Sequence, residues 1–190
     1  MVRLQSRMVE LGTAAPPFAL PDPTGRVHAL PDFAASPGLL VAFICNHCPY
    51  VKHILDGFAG FAREYGPRGL AIVAISANDV RAYPEDAPPA MAEIAARHKF
   101  TFPYLYDESQ AVAHAYHAVC TPEFFLFDQS RRLVYGGQFD DSRPNSGIPV
   151  TGVSLRAAAD AVLAGSPIPV EQRSSVGCSI KWKAGNAPVA

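Results

Sequence analysis

Cys45 and Cys48, separated by Asn46 and His47, are the residues of this chain whose types and spacing best suit covalent chemistry. The i, i+3 spacing sets both sulfurs on one face of a first helical turn, where a disulfide closes with little backbone movement. An apolar run, Leu39-Leu40-Val41-Ala42-Phe43-Ile44, precedes the pair, and a stretch of helical periodicity follows over about 50–65. A helix N-terminus presents unpaired N–H groups and the positive end of the dipole, and both favour thiolate over thiol. A protonated His47 adds a third stabilising influence. Thiolate is the species that attacks disulfides and peroxides, so this junction can do redox chemistry. Two plainer readings stand beside it. The cysteines can be packing residues on a core helix, or half of a metal site completed by His53, His114 or His117. Nothing in the spacing demands that those histidines converge on the pair.

Thr121-Pro122 is the second element of interest, because it stands just before the apolar run Phe124-Phe125-Leu126-Phe127. A proline at the start of a strand is tolerated since it lacks a ladder donor. It is either a trans turn or a cis peptide that offers backbone groups to an extended substrate. Cys120 lies two residues before Pro122. Cys178 lies in the C-terminal tail and reaches Cys45 or Cys48 only if the tail folds back. Both are accessory redox candidates, and both read more simply as small buried residues. Lys181 and Lys183 bring positive charge to that tail.

These residues need elements to position them. Residues 12–33 read as a hairpin, with Pro21-Asp22-Pro23-Thr24-Gly25 as its turn. Residues 38–44 and 70–75 are continuous apolar runs, as expected of strands covered on both faces. Val51, Ile54, Leu55, Phe58 and Phe61 fall at helical spacing between them. Residues 78–89 hold three prolines and several acids and read as a surface loop. Short helices follow at 91–98 and 110–118, with a weak strand at 104–106. Antiparallel strands are expected at 123–128 and 132–135, and an amphipathic helix at 154–164. The order is that of one α/β domain.

The chain has 190 residues, of which 49% are hydrophobic, enough for one sizeable core. A net charge of −1 with no basic face argues against nucleic acid as a partner. No apolar run reaches the roughly 18 residues needed to span a bilayer, and no apolar segment follows the two N-terminal arginines as a secretory signal requires. A cytoplasmic location and no membrane partner are therefore expected. In that reducing setting cysteines serve catalysis or metal binding more often than structure.

Strand, Cys-x-x-Cys, helix, then Thr-Pro opening a β-hairpin and a last helix, resembles the thioredoxin fold. The stretch from Gly12 to Asp22 is similar to the opening hairpin of peroxiredoxins and of TlpA-type thioredoxin-like proteins. Phe43-Ile44-Cys45-Asn46-His47-Cys48-Pro49-Tyr50-Val51-Lys52-His53, with Gly177-Cys178-Ser179-Ile180-Lys181-Trp182-Lys183, resembles a peroxiredoxin-like (AhpC/TSA-related) group of bacterial thioredoxin-family proteins. The resemblance implies an α/β fold with a central mixed β-sheet flanked by helices and an N-terminal β-hairpin extension. It divides the chain into a thioredoxin-like domain, 12–165, and a tail, 166–190, packed on it.

The resemblance also implies roles. Cys45 matches the nucleophile and the more exposed sulfur, Cys48 the resolving sulfur, His47 a thiolate-tuning residue, and Thr121 and Pro122 the substrate groove. Cys48 also matches the position of the peroxidatic cysteine of peroxiredoxins. Val41 and Cys45 stand where peroxiredoxins carry Pro and Thr or Ser, so the groups that activate a peroxide are missing. No acid lies in the strand before the pair. Pro49 removes an N–H just after Cys48 and predicts an irregular first turn. A His beside the second cysteine predicts a potential above about −270 mV. The expectation is a thiol-disulfide oxidoreductase with a Cys45/Cys48 couple. Its partners would be a protein or small-molecule disulfide and an external thiol reductant, with no cofactor beyond the redox-active disulfide and no bound metal. The alternatives are an antioxidant thiol peroxidase and a redox-sensing or metal-binding module.

Overall fold

The computed structural model describes residues 3–168 and 171–188. Its centre is strand β4 (Gly38–Phe43), every residue of which is buried. Alternation along a pleated strand splits its apolar run between two cores. Leu40, Ala42 and Ile44 enter one core, whereas Leu39, Val41 and Phe43 enter the other. A strand covered on both faces has no polar side to alternate, which explains the continuous run.

The chain begins with β1 (Arg3–Gln5) and a hairpin of β2 (Ala19–Pro21) and β3 (Val27–Ala29). Asp22 closes the hairpin turn by accepting the Thr24 N–H at 2.8 Å and the Arg26 N–H at 3.2 Å. After β4 come α1 (Pro49–Tyr65), β5 (Leu70–Ser76), α2 (Pro88–Arg97), β6 (Tyr104–Tyr106) and α3 (Ala111–Ala115). The second half holds β7 (Cys120–Thr121), β8 (Glu123–Phe127), β9 (Leu133–Gly137), α4 (Val153–Leu163) and β10 (Val176–Ser179). The main sheet runs β6-β5-β4-β8-β9. Strands β4, β5 and β6 are parallel, β8 runs antiparallel to them, and β9, antiparallel to β8, runs in their direction again. This is the thioredoxin-like arrangement of a mixed sheet flanked by helices, with a hairpin added at the N-terminal side.

Helix α1 lays Val51, Ile54, Leu55, Phe58, Phe61 and Ala62 on one face of the sheet. Phe58 is fully buried against Phe102, Phe124 and Phe139. Burying such a side chain contributes about 1.5–3 kcal/mol, and truncating it to Ala costs about 3–5 kcal/mol.

A second, three-stranded sheet has the order β1-β10-β7. Residues 3–5 and 176–179 had shown no strand pattern in the sequence; they pair with each other, and β10 pairs with β7. The Thr121–Pro122 peptide is cis. The chain passes there from the small sheet to the large one, at a residue with no N–H to give to either. Gly177 allows the close approach of β10, since a Cβ on it would lie 2.0 Å from the Thr121 carbonyl oxygen.

Candidate redox site

Cys45 follows the last residues of β4 and Cys48 is the N-cap of α1. Helix α1 begins regularly at Pro49, and the Lys52 N–H reaches the Cys48 carbonyl at 3.0 Å. The irregular first turn expected from Pro49 does not form. At the first helical position the missing N–H is one that has no intrahelical partner in any residue.

Thr121 touches both sulfurs. Its hydroxyl lies 3.3 Å from Cys45 Sγ, and its carbonyl lies 3.2 Å from Cys48 Sγ, from which it accepts when that sulfur is protonated. Cys45, expected as the more exposed sulfur, is closed off from solvent like its partner: Cys45 is 1% exposed and Cys48 0%. The cause is the segment at 78–89, a surface loop as expected except that Asn78 and Asp86 turn inward and are buried. Its 3-10 turn at Pro84–Asp86 folds over the motif and buries Asp86 completely.

Asp86 organises this roof. One carboxylate oxygen accepts the Asn46 N–H at 2.7 Å and the His47 N–H at 3.1 Å. The other takes His47 Nδ1 at 2.5 Å and the Asn78 side-chain N–H at 2.8 Å. Asn46 donates to the Glu85 carbonyl at 2.8 Å and accepts from Tyr104 Oη at 3.1 Å. The His47 ring stacks on Tyr83, with centroids 4.9 Å apart. Any positive charge on His47 therefore faces a carboxylate directly. Cys45, His47 and Asp86 are the one group of potential metal ligands converging within 4.8 Å among the described residues. The four hydrogen bonds to Asp86 occupy its acceptor sites, and the trio is engaged as a polar network.

Acidity is distributed unequally over the pair. Cys48 is pulled down from 9.0 to about 5, first by the Cys45 thiol hydrogen-bonding to it and then by donors from Cys178 and the Val51 N–H. Cys45 is pushed up, because it holds the proton shared with Cys48, is buried and faces the Asp86 charge. The resting charge therefore favours the sulfur at the helix N-terminus, where the dipole supports it.

Cys178 is brought to the same cluster as Cys45 and Cys48. It stands opposite Thr121 in the β10–β7 register, and its nearness to Cys48 helps to lower the Cys48 thiol and to raise its own. The tail is fixed beyond it. Asn78 accepts the Lys181 N–H at 2.8 Å, and Gln110 accepts the Lys183 N–H at 2.8 Å. Lys183 Nζ turns away to the Glu108 carbonyl, whereas Lys181 stays close enough to favour the Cys178 thiolate. Cys120 is buried and donates to Glu123 at 3.7 Å. Burial and the Glu123 charge push its thiol up. Glu123 is itself buried and pushed from 4.5 to about 7 by desolvation. His53 lines a cleft beside Pro122 with Tyr50, Phe139, Arg143 and Val176. His114 sits at the tail, against Trp182. Neither histidine joins the cysteine cluster.

Asp86, Asn78, Tyr104 and Glu123 are the members of this site that the sequence reading missed. Asn78 carried one usable signal: it closely follows a buried parallel strand, at the carboxyl end where α/β sheets place ligands.

Comparison with known proteins agrees with the geometry. A crystal structure of a hypothetical protein from Sinorhizobium meliloti 1021 superposes with a TM-score of 0.94 at 52% identity, covering 95% of this chain and 99% of that one. The thioredoxin domain of a thiol-disulfide oxidoreductase from Bacteroides vulgatus shares the fold, with a TM-score of 0.56 at 19% identity over 72% of this chain and 91% of that one. The thiol-disulfide oxidoreductase ResA of Geobacillus thermodenitrificans is 26% identical over 125 residues, 66% of this chain and 67% of its own. Residues 11–135 match the AhpC/TSA family, and the chain belongs to that family.

Proposed function

We propose that this protein is a thiol-disulfide oxidoreductase whose redox couple is Cys45 and Cys48. The observation that carries the reading is that one residue, Thr121, meets both buried sulfurs, its hydroxyl 3.3 Å from Cys45 and its carbonyl 3.2 Å from Cys48. The similarity to ResA, named for this activity, supports it.

In the reduced protein one proton lies between the sulfurs and the charge is on Cys48. As Cys45 attacks a substrate disulfide, Cys48 takes that proton, and the first substrate thiolate leaves. Cys48 passes the proton to this thiolate and then attacks Cys45 Sγ. The mixed disulfide breaks, the second thiolate leaves, and Cys45–Cys48 is closed. Thr121 Oγ1 stabilises the transient charge on Cys45. An external thiol reductant resets the couple, and the cleft beside Pro122 is where an extended disulfide-bearing partner would lie.

Val41 and Cys45 in place of the peroxide-activating Pro and Thr or Ser argue against peroxidase chemistry. Catalysed reduction of insulin disulfides by dithiothreitol, with hydrogen peroxide consumption in parallel, tests the reading. Insulin reduction lost in Cys45→Ser is expected. Peroxide turnover without insulin reduction would make the protein a peroxidase, and neither activity would favour a redox-sensing module.

A further inference from the structure

Three sulfurs meet at Thr121. Cys45 lies 3.3 Å from its hydroxyl and Cys48 3.2 Å from its carbonyl. Cys178 faces Thr121 across the β10–β7 pairing and is buried in the same cluster as Cys45 and Cys48. A two-cysteine cycle uses only two of them. The third is held there by a costly arrangement: β10 lies so near that Gly177 has no room for a Cβ, and β1 covers its other edge.

We propose that Cys178 is a third redox partner that exchanges with the Cys45–Cys48 disulfide. The Cys178 sulfur attacks Cys48 Sγ, the Cys45–Cys48 bond breaks, and a Cys48–Cys178 disulfide forms. The proton lost by Cys178 ends on Cys45, so atoms and electrons balance with no outside oxidant. This rests on the reading of Cys45 and Cys48 as a redox couple. It gives the oxidised protein two forms, one with both motif cysteines closed and one with Cys45 returned as a thiol.

The environment gates this exchange. In the reduced state burial, the hydrogen bond to Cys48 and the Cys48 charge push Cys178 up to about 12. Oxidation of Cys48 removes its charge and its hold on the Cys178 proton. Lys181 remains, and it favours the Cys178 thiolate. The nucleophile is thus restrained until its target disulfide exists.

The test is disulfide mapping of Cys45→Ser after exposure to oxidised glutathione. Cys48 should first acquire glutathione and then lose it as Cys48–Cys178 forms, and adding Cys178→Ala should leave the adduct in place. A persistent adduct with Cys178 still alkylatable overturns the proposal, as does recovery of both residues as thiols. Mapping the wild-type protein across a glutathione redox series guards against misfolding of the variant. A Cys48–Cys178 peptide there supports the exchange, and its absence at every potential counts against it. Insulin reduction separates the two readings: active protein in which Cys178 never pairs would sink this proposal alone.

Discussion

The Asp86 carboxylate accepts the Asn46 N–H at 2.7 Å, forty positions along the chain. That bond fixes the backbone between the two cysteines and places a negative charge beside Cys45. Asp86→Asn removes the charge and keeps one acceptor oxygen. Cys45 should become more acidic, and because its proton must leave before it attacks, its reaction with a disulfide should speed up. Single-turnover reduction of a disulfide substrate reads this, and an unchanged or slower attack would contradict it.

Thr121→Val keeps the shape of the side chain and removes its hydroxyl. The hydrogen bond to Cys45 favours the thiolate, and its loss should cost about 1 kcal/mol, or roughly fivefold in the rate of attack. Single-turnover reduction of a disulfide substrate measures it. Resolution by Cys48 should change less, because the carbonyl that faces it is untouched.

Ultraviolet absorbance of the thiolate should titrate with a midpoint at about 5 in the reduced protein, from Cys48. A folded value below the ordinary 9.0 means stability that is present above pH 9.0 and lost as pH falls through about 5. Cys178→Ala removes one donor to that sulfur, so the midpoint should move up. A midpoint that stays in place would show that Cys178 does not hold the charge.

Glu123 gives the opposite sign. Its carboxyl is pushed from 4.5 to about 7, so the folded chain binds more proton between those values and stability falls as pH rises through them. At about 1.4 kcal/mol per unit the cost by neutral pH is about 3 kcal/mol. Glu123→Gln should flatten this stretch of the stability profile measured by urea unfolding.

Gly177→Ala puts a Cβ 2.0 Å from the Thr121 carbonyl oxygen and 3.1 Å from the Pro122 nitrogen. Backbone on both sides has nowhere to go, so β10 should lift from β7. The expected loss is about 1–3 kcal/mol, with faster alkylation of Cys48. Wild-type alkylation rates in this variant would show that β10 does not shield the site.

The parts legible in the sequence are those with a strong local pattern. The run at 39–44 and the helical spacing of Val51, Ile54, Leu55 and Phe58 place the cysteines at a strand–helix junction, where they are found. Asp86 was illegible because an acid among prolines reads as solvated. Its burial depends on donors from Asn46, His47 and Asn78. Strand β10 was illegible for a related reason. Val176-Gly177-Cys178-Ser179 has no alternation of its own, and only Arg3–Gln5 and Cys120–Thr121 make it a strand.

Strand β10 completes the wall around Cys48, and it follows every other element of the domain along the chain. Chains fold from the N-terminal side as they emerge. Helix α1 and the main sheet can therefore assemble while Cys48 still lacks its cover. A nascent chain would pass through an interval in which the most acidic thiol is open to any oxidant or thiol present, and the pairing of β10 with β7 is what closes it.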